Sequence, residues 1–103
     1  MKLQIFAVLD QAVNAFLPPF HSRAKGEAIR SFSDAVNDKE HQFFRHSTDY
    51  ILFHLGEFDD GSGMFSTAEP VRVVSARECL VDDPVSSPGV APPVGRSNGR
   101  VAL

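Results

Sequence analysis

Cations gather where the chain first reads as a helix. The stretch is Phe20-His21-Ser22-Arg23-Ala24-Lys25-Gly26-Glu27-Ala28-Ile29-Arg30. Arg23, Lys25 and Arg30 lie at or near the helix start, where backbone N–H groups meet a phosphate and Arg or Lys adds charge. Arg45 and His46 follow a little further on. Phe20 sits beside the cations. Phe6 and Tyr50, on strand positions, offer further rings on which unpaired bases stack. The same residues also suit an ordinary fold, with the aromatics in the core and the cations on a solvated helix face. Pattern alone leaves both readings open.

Other constellations are weaker. Asp59-Asp60-Gly61-Ser62-Gly63 lacks the alternating ligands and closing Glu of a calcium loop, and reads as a hairpin turn. His41, His46 and His54 do not have a compact zinc spacing, and Cys79 is the sole cysteine. His54, on a strand, reads as a packed or half-exposed residue. There is no nucleophile elbow and no glycine-rich phosphate loop. The expectation is a protein with no catalytic residues, no metal and no cofactor.

Elements must position these residues. Leu3–Leu9 reads as a central strand, apolar on both faces. Asp10–Asn14 reads as a turn, and Ala15–Phe20 as a short second strand whose prolines suit an edge. A helix spans Ala24–Val36, with Ser22 as its cap and Ala28, Ile29, Phe32, Ala35 and Val36 on its apolar face. Arg30 and Asp34 are spaced to pair across one turn. Asp38–Asp49 is irregular, anchored by Phe43-Phe44, with one helical turn starting at Ser47. Tyr50–Phe58 is a strand. Met64–Ser66 and Val71–Ala76 are further strand segments, parted by Thr67–Pro70. Val81–Leu103 is rich in Pro, Gly and Ser and reads as a disordered tail.

The fold class is therefore α+β: a small antiparallel sheet with one packed amphipathic helix, in the order β-β-α-β-β. Residues 1–80 make one domain and 81–103 a flexible tail. The chain has 103 residues, enough for one domain. A domain of this size buries only ~60–65% of its unfolded surface, so a homodimer is an expected way to bury more. Nine Phe, one Tyr and no Trp leave phenylalanine to supply the large core side chains. The net charge of −3 argues against coating nucleic acid by charge alone. Charge is unevenly spread, with five cations against four anions in His21–His46, and five anions and no cation in Ser47–Glu69. The lone Cys79, a short mixed N-terminal run and the absence of a ~20-residue apolar stretch point to a soluble intracellular protein.

Several segments resemble a known family. Met1–Val8, Phe16–Phe20 and Lys25–Asp38 look like the small nonstructural protein of gokushoviruses, single-stranded-DNA phages of the Microviridae. The likeness continues through Asp49–Phe53 and Leu55–Gly63, in order, and leaves out the tail. The resemblance implies a protein made in the cytoplasm of the infected bacterium and absent from the mature virion. It implies DNA binding, with single strands favoured, and a part in switching replication from double-stranded synthesis to single-stranded genome production and packaging. The acidic balance departs from a strong DNA binder and suggests weak, local or partner-assisted binding. The rival expectation is an interaction module that binds a phage or host replication protein through its acidic end, Glu57–Asp60, without touching DNA. Neither reading involves a membrane.

Overall fold

The structure, a computed structural model, describes residues 1–81. The tail expected over Val81–Leu103 lies outside the described residues except for Val81. The elements are β1 (Lys2–Asp10), β2 (Ala15–Phe16), β3 (Phe20–Ser22), α1 (Lys25–Val36), α2 (Gln42–Arg45), β4 (Tyr50–Asp59), β5 (Met64–Ser75) and α3 (Ala76–Cys79).

β1 is central, as its two apolar faces require. It pairs antiparallel with β2 and β3 on one side and with β4 on the other; β5 follows β4 at the edge. Phe6 and Val8 are buried on one face, and Ile5 and Ala7 on the other. The expected second strand is instead two. Ala15–Phe16 pairs with Leu9 and Asp10, and Phe20–Ser22 pairs with Gln4–Phe6. Pro18 and Pro19 lie between them and have no N–H to donate, so the ladder breaks there, resumes at Phe20 and ends two residues further than expected. Asn14 closes the preceding turn with φ 56°, a left-handed conformation that Asn tolerates.

The helix α1 forms where periodicity placed it, but its entry differs. Ala24 is the N-cap, and no side chain caps the helix. The single Ser22 hydroxyl proton is shared instead between the Ala24 carbonyl at 2.9 Å and Glu27 Oε1 at 3.0 Å. Glu27 Oε1 also accepts the Arg23 backbone N–H at 3.0 Å. Glu27 therefore secures the approach to the helix and draws Arg23 into an ion pair at 3.5 Å. That pair forms rather than the expected Arg30–Asp34 pair.

The segment expected to be irregular contains α2. His41 Nδ1 accepts the Phe43 N–H at 3.0 Å, a cap from a residue rarely used as one. The helical turn thus begins before Ser47 rather than at it. Phe43 is the anchor expected, lying 5.5 Å from the Phe32 ring and 4.6 Å from that of Tyr50.

β5 is one continuous strand where two segments were expected. His54 pairs with Val71 and Gly56 with Thr67, so Ala68, Glu69 and Pro70 stand opposite Leu55 alone. A bulge on an edge strand accommodates Pro70 without losing a ladder bond. Gly56 has φ 150°, and a Cβ there would collide with the Ser66 carbonyl and lie 2.9 Å from Thr67 Cα. Ser75 then caps α3 with a reciprocal Ser75–Glu78 capping box, which ends the strand one residue earlier than expected. With three helices, the order is β-β-β-α-α-β-β-α, and the single packed helix becomes one main helix with two short ones.

All three helices contribute to one core with Phe6, Val8, Tyr50 and Leu52 of the sheet: Ala28, Phe32, Ala35 and Val36 from α1, Phe43 from α2 and Ala76 from α3. The other sheet face is also apolar. Phe16 meets Phe53 edge-on at 5.3 Å, and Phe58 lies 4.8 Å from Phe65, flanking Ile5 and Ala7.

Candidate nucleic-acid interface

The first turn of α1 faces the sheet beside the register shifts between β4 and β5. Between them lies an open cleft of about 450 Å³, lined by Gln4, Arg23, Ala24, Lys25, His54, Val71, Arg72 and Val73. Its size is within the ~300–1,000 Å³ of small-molecule sites. Three cations meet around it, from the β3–α1 approach, from α1 and from β5.

The cations are held differently. Arg23 pairs with Glu27, and Arg72 lies 3.1 Å from Glu78. Lys25 makes no ion pair among the described residues. The Arg23 backbone N–H, then the Ser22 hydroxyl, hold the Glu27 carboxyl below the usual range. The Ser75 backbone N–H and then the Arg72 guanidinium do the same for Glu78. Both carboxylates are thus anchored on backbone, and the arginines pair with them from exposed side chains. Exposed pairs of this kind are weak, so a phosphate can take over either guanidinium at little cost.

The floor of the cleft is polar and aromatic. His54 Nε2 lies 2.8 Å from Gln4 Oε1. The Phe6 ring supports His54 at 5.1 Å, tilted by 56°. Among the described residues Gln4 Nε2 makes only a long contact, 3.4 Å, to Glu57.

The residues expected from sequence divide into two groups. Arg23 and Lys25 converge on the cleft. Arg30 is exposed on α1, on the side away from Ala28 and Phe32. Arg45 and His46 belong to the end of α2, beside Tyr50, whose hydroxyl lies 3.3 Å from Gln42 Oε1. Tyr50 pairs with Asp10, whereas the cleft residue Gln4 pairs with Glu57. Six residues of strand separate those positions, about 20 Å. Phe6 and Tyr50 are not exposed platforms: Phe6 is fully buried and Tyr50 nearly so. Burial pushes the Tyr50 hydroxyl up. Phe20 is half-buried and stacks on Phe6 at 6.0 Å. Its ring therefore belongs to the core.

Arg72 and His54 were missed as site residues. Arg72 lies far from the helix start in sequence, and only the β4–β5 pairing brings it there. His54 had a legible strand position, but nothing local marks which strand face the helix leaves open.

The acidic end is partly neutralised from within. Lys2 approaches Glu57 at 3.9 Å, and the Met1 ammonium lies 2.9 Å from Asp60 Oδ1. The Gly61 backbone N–H, foremost, holds Asp59 below the usual carboxylate range. Gly63 N–H closes the hairpin onto the Asp59 carbonyl at 2.7 Å.

Residues 3–79 match the family described as phage ORF5 protein. The chain belongs to the phage ORF5 family. The match takes in all of the sheet except Lys2 and ends on the last residue of α3, so every residue that lines the cleft falls within it. The chain matches no curated protein and no solved structure. No helix among its described residues is long and apolar enough to cross a membrane.

Proposed function

We propose that this phage protein is a non-enzymatic DNA-binding protein of a gokushovirus. Its role is to favour the passage from double-stranded replication to single-stranded genome production and packaging. It acts in the infected cell and stays out of the mature virion. The observation that carries the reading is the meeting of Arg23, Lys25 and Arg72 around one cleft. Three phosphate contacts on a net-acidic chain make modest, salt-sensitive binding. That resolves the tension between an acidic balance and a DNA ligand: the positive charge is local.

Binding of DNA measured against salt tests it. Three contacts to single-stranded DNA give a log–log salt slope of about −2. Combined Arg23→Ala, Lys25→Ala and Arg72→Ala flattens that slope and weakens binding, whereas Arg30→Ala and Arg45→Ala change little. Unchanged affinity and slope in the triple variant would remove the cleft from DNA binding. In infected cells, the same variant lowers the ratio of single-stranded to double-stranded phage DNA.

The rival, docking of a replication protein on Glu57–Asp60, draws less support, because Lys2, the Met1 ammonium and the hairpin N–H groups already engage those carboxylates. The domain's size and its apolar second face favour a homodimer.

A further inference from the structure

The cleft joins its cations to a ring that the core holds in place. His54 lines it with its imidazole backed by Phe6 and its Nε2 tied to Gln4. The Gln4 amide has two N–H donors, and among the described residues the partner of its nitrogen is the long contact to Glu57. We infer that the cleft takes one unpaired nucleotide of a DNA strand, its base lying on His54 and its phosphate between Lys25 and the two arginines. This rests on the DNA-binding reading and adds a base platform to it, which gives the expected preference for single strands a physical cause.

The physical reason is that a base inside a duplex has both faces against its neighbours and its edge against its partner. It reaches a ring only after unstacking and unpairing, whereas a single strand presents its faces freely. Stacking accepts every base, since each has a π-face, so the contact is tolerant of sequence. The chain thereby prefers a displaced or newly made single strand by the stacking term, and the cations alone give no such preference. Gln4 adds one amide donor at the base edge, enough for a mild preference among bases and too little for a code.

The test is fluorescence anisotropy with the full chain and three probes of equal length: oligothymidylate, its duplex with oligoadenylate, and a strand of abasic sites. Wild type binds oligothymidylate about tenfold tighter than the duplex. His54→Ala loses about tenfold on oligothymidylate and nothing on the abasic strand. His54→Phe keeps the ring and restores the affinity. His54→Leu fills the same space without a π-face and behaves as His54→Ala, which separates stacking from packing; thermal melts confirm that both are folded. Equal affinity for single strand and duplex overturns the inference, as does an equal effect of His54→Ala on the abasic strand. Displacement of the oligonucleotide by thymidine monophosphate at matched nucleotide concentration also overturns it, in favour of a free-nucleotide pocket. Loss of the salt-dependent binding in the Arg23/Lys25/Arg72 variant, with no effect of His54 variants, leaves DNA binding standing and removes only the platform. No binding of any probe by wild type removes both.

Discussion

Gly56 shows how one residue can set the course of a hairpin. It occupies a backbone conformation that side chains disfavour and meets the facing strand at its carbonyl. Gly56→Ala therefore suffers strain of about 1–3 kcal/mol together with a collision against main chain that cannot turn aside. Urea denaturation should show a loss at the upper end of that range or beyond, and a loss below 0.5 kcal/mol would mean that β5 moves away freely. Glu27 controls a different property. Its carboxyl is depressed in the folded state, so its contribution is complete above the ordinary glutamate value of about 4.3 and is lost as pH falls from there through the folded value. Glu78 and Asp59 have the same sign. Thermal stability is thus expected to drop on acidification below about pH 4.3, and Glu27→Gln to melt lower at neutral pH with a shallower acid slope. An unaltered acid slope in that variant would assign the acid sensitivity to other groups. The grip of Glu27 on Ser22 and Arg23 was not legible, because it depends on how the chain enters the helix.

Elements were legible in proportion to the length of their pattern. Lys25–Val36 and Tyr50–Asp59 carry long apolar repeats, and both formed where expected. The short elements were set by single side chains. Pro18 and Pro19 split a strand, His41 capped α2, and Ser75 with Glu78 began α3. The last of these is a Ser-x-x-Glu box readable in the sequence, and the strand expected over Val71–Ala76 ran past it. Pro70 was read as a break because a bulge is a property of two strands together. Asn37 ties two of these elements to each other. Its side-chain amide donates to Ser33 O at 2.8 Å and Cys79 O at 3.0 Å, while its Oδ1 accepts the Val81 N–H at 3.0 Å. Asn37→Ala leaves the end of α3 without these bonds and is expected to cost about 1–3 kcal/mol. Hydrogen exchange at Val81 should quicken more than exchange in β1; equal changes in both would show that the loss is global rather than local.

At the scale of the whole molecule, the sheet separates two kinds of surface. One face carries the helices and the basic cleft at their margin. The other carries Phe16, Phe53, Phe58 and Phe65 around Ile5 and Ala7. An antiparallel sheet with one solvated face alternates apolar and polar residues, and β1 does not. A second copy covering that face would leave both clefts accessible on the outside. Light scattering on a chain of 11.3 kDa is then expected to give twice that mass, and Phe53→Lys to return it to the monomer. A monomer mass at high concentration would end the dimer. The cleft itself was half legible. Arg23 and Lys25 sit together in sequence, while Arg72 and His54 arrive only through strand pairing, which no local pattern encodes.

The bulge at Ala68–Pro70 has one more consequence. An edge of twelve residues is a template on which any extended chain can pair and from which fibres grow. Pro70 offers no N–H along that edge, Glu69 sets a charge on it, and the bulge turns the segment out of line with its neighbours. What remains is two short runs, neither long enough to recruit another strand readily. The edge of the sheet is thus guarded against such pairing by three exposed residues that lie outside both the core and the cleft.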